Sequence, residues 1–115
     1  MKQAILDTSF ILSCVRKKID FFEEIAAIGL ELVIPIQVIL EIKKIKKPEA
    51  ETAMAIIEKG MFKTLDLKTK NVDDGIARMS EKNPGDIVAT IDKGLQKRIK
   101  ARKMIIRGAK GLEII

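Results

Sequence analysis

The sequence predicts an α/β fold, a three-layer α/β/α sandwich with a central, mainly parallel sheet, and three observations lead to that prediction. Short runs of aliphatic residues alternate with longer segments in which apolar residues recur at helical spacing. Hydrophobic residues make up 47% of the chain and aromatic residues only 3%, so the core must be aliphatic, which is typical of parallel strands buried on both faces. A length of 115 residues indicates a single domain, residues 1–115.

The charge and the rare residue types narrow the class of protein. A net charge of +6 is consistent with an anionic partner such as nucleic acid, although a lysine-rich surface alone explains it slightly better. The chain has no histidine, which excludes Ser-His and Cys-His nucleophile pairs and histidine-ligated zinc. The single cysteine, Cys14, indicates a buried thiol in a reducing compartment. Since no run resembles a membrane span or a signal peptide, we expect a cytoplasmic protein without membrane contact.

The first predicted strand, residues 4–6, ends in Asp7-Thr8 and leads into a helix at 10–15. In open α/β sheets, ligands bind beyond the carboxyl ends of the strands, so Asp7 is a candidate site residue. Capping of the following helix explains Asp7 about equally well.

Apolar periodicity and turn residues delimit the remaining elements. Gly29 and Gly60 follow predicted helices as C-terminal stops, and Pro35 closes one strand where the next helix begins. We expect strands at 31–35, 62–67, 87–90 and 103–106, and helices at 19–28, 36–46, 49–59, from 72 onward and 95–101. Residues 108–115 are expected to pack as a tail on an edge of the sheet.

Two further carboxylates are expected at the same edge as Asp7. Asp92 follows the strand at 87–90, where a Thr and an Asp again end a buried run. Glu41 lies near the apolar side of the helix at 36–46, where a free carboxylate is costly to bury, although pairing with Lys44 explains it more simply.

A fourth carboxylate, Asp74, opens the helix that begins near residue 72, and Asp73 stands beside it. Acidic residues in a first helical turn are favoured by the helix dipole, which is the simpler explanation for at least one of them. Asp86 precedes its strand and should lie at the opposite edge, so we exclude it from the site.

Four carboxylates in one crevice would repel one another and destabilise the fold unless they were neutralised. Mg²⁺ or Mn²⁺ is the simplest neutraliser, because these ions take oxygen ligands and need only one or two direct carboxylates. An acidic, metal-holding pocket with a lysine- and arginine-rich rim suits the metal-assisted hydrolysis of nucleic acid.

The segments that carry these acids resemble the successive motifs of the PIN domain family, in order and over essentially the whole chain. The matching residues are Leu6-Asp7-Thr8-Ser9, Glu41 after the strand ending in Pro35, Val72-Asp73-Asp74-Gly75-Ile76 and Ile87-Val88-Ala89-Thr90-Ile91-Asp92-Lys93-Gly94-Leu95. The resemblance is closest to small archaeal PIN proteins and to the PIN domain of eukaryotic ribosome-biogenesis nucleases.

The resemblance implies a Mg²⁺- or Mn²⁺-dependent endoribonuclease, either the toxin of a toxin-antitoxin pair or an rRNA-processing nuclease. The family's catalytic and metal-binding acids fall on Asp7, Glu41, Asp74 and Asp92, with Asp73 as the alternative third acid. Thr8 and Thr90 match the hydroxyl positions that orient ligands or metal waters. Ile91 departs from the family pattern, which usually has a polar residue there.

The resemblance also implies partners, namely RNA, a small antitoxin or a ribosomal precursor, and a second copy of the chain in a homodimer. Two other functions compete with the nuclease hypothesis. One is a catalytically weak or inactive module that binds RNA or a ribosome. The other is a receiver-like phosphoacceptor, which clusters its acids differently.

Overall fold

The computed structural model describes residues 2–109 and 111–115, and within them the chain forms six strands and six helices. The elements are, in order, β1 (Gln3–Leu6), α1 (Thr8–Arg16), α2 (Phe21–Ala27), β2 (Glu31–Pro35), α3 (Ile36–Lys44), α4 (Pro48–Lys59), β3 (Lys63–Leu65), α5 (Val72–Lys82), β4 (Ile87–Ala89), α6 (Lys93–Arg98), β5 (Lys103–Arg107) and β6 (Gly111–Ile114). None of the helices in the described residues is both long and apolar enough to cross a membrane.

One six-stranded sheet has the order β3-β2-β1-β4-β5-β6. The strands β1 to β5 are parallel, and only β6 runs antiparallel, beside β5. In the centre of the sheet, Ile5 of β1 stands opposite Val33 of β2 on one side and Val88 of β4 on the other. The predicted mainly parallel sheet is therefore confirmed.

The helices form layers on the two faces of this sheet. The chain proceeds from β1 through β2 to β3 in one direction and from β4 to β5 in the other. Because parallel crossovers are right-handed, this reversal places the helices of the two halves on opposite faces. In agreement, α1, α3 and α4 contact one another, and α5 contacts α6. The predicted three-layer α/β/α architecture is confirmed.

The core is aliphatic, as the composition predicts. The central strands bury Ile5, Ile34 and Val88 completely, while Phe10 and Phe21 supply its largest aromatic side chains. Such strands are covered by helices on both faces and therefore carry continuous apolar runs.

Most helix ends differ from the prediction by one or two residues, and side-chain caps explain the clearest cases. α6 begins at Lys93 and not at residue 95, because the Asp92 carboxylate accepts a hydrogen bond from the Leu95 N–H and caps the helix. It ends at Arg98 because Ile99 is extended, so the predicted helical end at 101 is wrong. The strand predicted at 62–67 is only Lys63–Leu65.

The predicted tail is in fact a strand. β6 pairs with β5 in antiparallel register, with Gly111 opposite Arg107 at one end and Ile114 opposite Met104 at the other. It lies on the edge of the sheet as expected, and backbone hydrogen bonds hold it there. The turn before it includes Gly108 with a φ of 66°, a conformation that favours glycine. We predicted no sixth strand, because apolar and polar residues alternate over too few positions there.

Candidate active site

The candidate site lies at the point where the strand order reverses, between β1 and β4. Asp7 follows β1, and Thr90 and Asp92 follow β4. The Asp7 N–H donates to the carbonyl of Ala89 at 3.1 Å, so the two strand ends are joined directly. In open α/β sheets this reversal leaves a crevice that commonly binds ligands.

Asp7 is a buried carboxylate that accepts three hydrogen bonds. Its Oδ1 accepts from the Phe10 N–H at 2.8 Å and from Ser9 Oγ at 2.9 Å, and its Oδ2 accepts from Thr90 Oγ1. The residue is only 3% exposed. Burial raises the pKa of Asp7 to about 6, although all three hydrogen bonds act in the opposite direction. Asp7 is thus both the cap of α1 and a desolvated acid.

Thr90 connects Asp7 to Asp92. Its fully buried hydroxyl donates to Asp7 and accepts the Asp92 N–H at 3.0 Å. The Thr90 carbonyl in turn accepts from Gln96 Nε2 at 2.9 Å. The orientation of one acid is therefore coupled through a single hydroxyl to the loop that carries another.

Four carboxylates from distant parts of the chain line one cavity of about 290 Å³ here. The lining residues are Asp7, Thr8, Ser9, Leu12, Glu41, Val72, Asp73 and Asp92. The Thr8 Oγ1 atom is buried without a hydrogen-bond partner in the described residues. A cavity of about 330 Å³ elsewhere, bordered by α1, α2 and α4, has the single carboxylate of Asp20 in a mainly apolar lining. Only the smaller of these two cavities has the chemistry of an acidic site.

The third acid of this cavity is Asp73, which the sequence left as the alternative to Asp74. Burial raises the pKa of Asp73, the carboxylates of Asp92 and Glu41 raise it further, and the charge of Arg98 acts in the opposite direction. Asp74 does not line the cavity and pairs instead with Arg98, whose Nη2 lies 2.5 Å from its Oδ1.

Asp86 lies where the sequence places it, away from the site. It directly precedes β4, at the amino end of that strand, whereas Asp7 and Asp92 follow the carboxyl ends of β1 and β4. Burial raises the pKa of Asp86.

Sequence reasoning did not assign a site role to Ser9, Gln96 or Arg98. Ser9 donates to the Asp7 carboxylate, and Gln96 donates to the Thr90 carbonyl. No spacing pattern in the sequence predicts these hydrogen bonds. Arg98 had a detectable signal, since it belongs to a basic helix that directly follows a candidate acid.

The donor set fits a hard divalent cation. The cavity offers carboxylate and hydroxyl oxygens, and the chain has no histidine. Within residues 2–109 and 111–115, no three of these side chains converge closely enough to hold an ion together. This arrangement suits an ion that takes one or two carboxylates directly and keeps its waters, as Mg²⁺ usually does. The mutual repulsion at Asp73 and the desolvation of Asp7 would both be relieved by such a charge.

Comparison with known proteins agrees with this architecture. A family model described as a PIN-like domain matches residues 4–108. A solved structure described as that of the PIN domain endonuclease Utp24 is similar with a TM-score of 0.84 and 26% sequence identity, over 97% of this chain and 90% of that chain. No curated protein matches the chain.

Proposed function

Because this chain belongs to the PIN-like domain family, we propose that it is a metal-dependent endoribonuclease that hydrolyses RNA phosphodiester bonds at the Asp7 cavity. The family match and the likeness to a PIN domain endonuclease support a nuclease-type function in general. The single observation that carries the finer proposal is the convergence of Asp7, Glu41, Asp73 and Asp92 on one cavity.

The proposed cofactor is Mg²⁺ or Mn²⁺, which one or two of the carboxylates of Asp7, Asp73 and Asp92 would bind directly, while the others and Glu41 would contact it through its waters. When bound, such an ion neutralises the acids and polarises the scissile phosphoryl group. Asp74, which the family resemblance named as the third acid, is replaced by Asp73 in this proposal, because Asp73 is the one that lines the cavity.

The protein's own groups fix the acids in place. Thr90, Ser9 and the Phe10 N–H orient the Asp7 carboxylate, and Thr90 also holds the backbone of Asp92. These hydrogen bonds reduce the reorganisation that the acids would otherwise undergo during reaction. Lys93, which is exposed and directly follows Asp92, would bind a phosphate that flanks the scissile bond.

A cleavage assay tests the proposal. We expect the wild-type protein to cleave a structured RNA in the presence of Mn²⁺ or Mg²⁺, and we expect Asp7→Asn to lower kcat by at least roughly 100-fold. Asp86→Asn is the matched control, because it makes the same change at a carboxyl group whose pKa is also raised by burial but which lies before β4, at the opposite edge of the sheet. Equal cleavage by wild type and Asp7→Asn, or no cleavage by either, would contradict the enzyme proposal.

A binding module is the second candidate function, favoured by the absence of a preformed three-carboxylate ion site within the described residues. RNA binding by the wild-type protein without cleavage under any divalent metal would identify it.

Toxin and rRNA-processing roles both fit the proposed activity. A small antitoxin bound to the acidic groove would define the first role, and cleavage confined to a ribosomal precursor would define the second. Co-purification of the chain with the product of an adjacent small gene, followed by an inhibition assay, distinguishes them.

A further inference from the structure

We propose that Arg98 is a phosphate-binding residue of this site and that Asp74 is the positioning residue that holds its guanidinium at the rim of the cavity. The inference rests on the proposed function, because it names a group that binds the RNA backbone beside the acids. Of the two neighbouring acids of α5, Asp73 lines the cavity and Asp74 does not.

The ion pair joins two helices. Arg98 Nη2 donates to Asp74 Oδ1 at 2.5 Å and so connects the first turn of α5 with the last residue of α6. The backbone of Asp74 is itself fixed, because its N–H donates to the capping Asn71 Oδ1 at 3.0 Å. The carboxylate is therefore a defined anchor for the guanidinium.

Arg98 lies within electrostatic reach of the cavity. Its ion-pair partner Asp74 directly follows Asp73, which lines the cavity. The two helices that the pair connects also carry Asp73, in the first turn of α5, and Asp92, at the start of α6. A phosphate next to the scissile one would lie beside this rim.

The geometry leaves Arg98 able to bind a ligand. Its side chain is 48% exposed, and within the described residues it donates only to Asp74, so most of its N–H groups have no protein acceptor. Exposed ion pairs contribute little to stability, so the fold does not require this one. A guanidinium held on one side by a carboxylate presents its remaining donors in a fixed fork, which matches phosphate oxygens.

The charge of α6 supports the same path for the RNA. The helix exposes Lys93, Lys97 and Arg98 and contains no acidic residue. Simple electrostatics predicts that removing the negative charge of Asp74 strengthens RNA binding. A positioning role predicts the reverse, because Arg98 loses its anchor, so the two explanations differ in sign.

The two explanations can be distinguished by measuring how Asp74→Asn changes the affinity for RNA. The assay follows binding of a labelled single-stranded RNA oligonucleotide in EDTA, over a series of NaCl concentrations. We expect Arg98→Ala to weaken binding roughly tenfold and to reduce the slope of log K against log salt by about 0.7. We expect Asp74→Asn to weaken binding severalfold and to add little to Arg98→Ala in the double variant, because the two residues act together.

Lys63 and Glu31 provide the matched control pair. Their ion pair is 3.2 Å long and lies at the starts of β3 and β2, at the opposite edge of the sheet. Lys63→Ala and Glu31→Gln change the net charge by the same amounts as Arg98→Ala and Asp74→Asn. If Lys63→Ala weakened RNA binding as much as Arg98→Ala does, the inference would be overturned. Tighter RNA binding by Asp74→Asn would also overturn it.

Kinetics in Mn²⁺ separate this inference from the proposed function. We expect Arg98→Ala and Asp74→Asn to raise KM severalfold while kcat stays near that of the wild type. A loss of kcat with an unchanged KM in Asp74→Asn would overturn the positioning role and make Asp74 a catalytic acid. If the wild type binds RNA without cleaving it, the nuclease proposal fails, and the binding series still decides the role of Arg98.

Discussion

The position of Asp7 at the end of β1 could be predicted from the sequence, but the environment of its carboxylate could not. A carboxylate at the end of a buried strand and before a helix predicts a place at the sheet edge. Its burial depends on Thr90, which is 83 residues away along the chain, and no local pattern reveals that contact. The sequence therefore located the acid, and tertiary structure determined its chemistry.

The metal-free protein should become less stable as pH rises because of Asp7. Its pKa is about 6 in the folded state against an ordinary value of 3.8, so the folded state binds more protons between these pH values. The stability that Asp7 contributes below pH 3.8 is lost as pH rises to about 6, by roughly 3 kcal/mol.

Urea unfolding in EDTA from pH 4 to pH 7 measures this effect. We expect Asp7→Asn to gain stability relative to the wild type across that range, because the amide does not ionise and its oxygen can still cap α1. A constant difference between the two proteins at every pH would show that Asp7 does not titrate in this way.

Thr90 should be required through its hydroxyl and not through its size. Thr90→Val keeps the shape but leaves the Asp7 oxygen and the Asp92 N–H without their partner. We expect a loss of about 1–3 kcal/mol in the free energy of unfolding and a lower kcat in the RNA cleavage assay. Thr90→Ser retains the hydroxyl and should stay within about threefold of the wild-type kcat; equal losses in both variants would indicate packing instead.

At the level of secondary structure, the rotation of α5 decides which of two adjacent acids enters the cavity. Successive residues of a helix differ by about 100° in direction, so Asp73 and Asp74 cannot face the same way. The sequence predicted the helix, but its rotation depends on packing. Val72, Gly75 and Ile76 are the buried residues of its first turns, and their packing determines the rotation of the helix.

Gly75 should be needed for this packing. A Cβ atom at this position would lie 2.7 Å from Leu67 Cβ and 3.0 Å from Thr69 Cγ2. We expect Gly75→Ala to lower the free energy of unfolding by about 1–3 kcal/mol, despite the better helix propensity of alanine.

Gly85→Ala is the control for Gly75, because its added Cβ would meet nothing within 4 Å. Denaturant unfolding of both variants measures the contrast. An unchanged midpoint for Gly75→Ala would show that α5 can shift freely, and its acids would then have no fixed orientation.

At the level of the whole molecule, the order of strands and helices was predictable because periodicity and turn residues report on it directly. The antiparallel β6 was not predicted, since an edge strand is defined by its neighbour and not by its own short sequence. The shared cavity was predictable in outline, because carboxyl ends of parallel strands meet at one edge.

Cys14 gives a test of how cooperatively this molecule opens. The only cysteine is fully buried on α1, and burial raises its pKa to about 12. We expect iodoacetamide to modify the native protein very slowly and the urea-unfolded protein quickly, as followed by mass spectrometry. Rapid alkylation under native conditions would reveal local opening of α1 next to Asp7.

The junction of β1 and β4 has a consequence for biosynthesis. Ile5 and Val88 are neighbours in the sheet although all the elements from α1 to α5 lie between them along the chain. A nascent chain that ends before residue 87 lacks one wall of the cavity and the acid at residue 92, whatever its upstream half has already folded. The proposed site would therefore lack part of its set of acids until the segment that follows β4 has been synthesised.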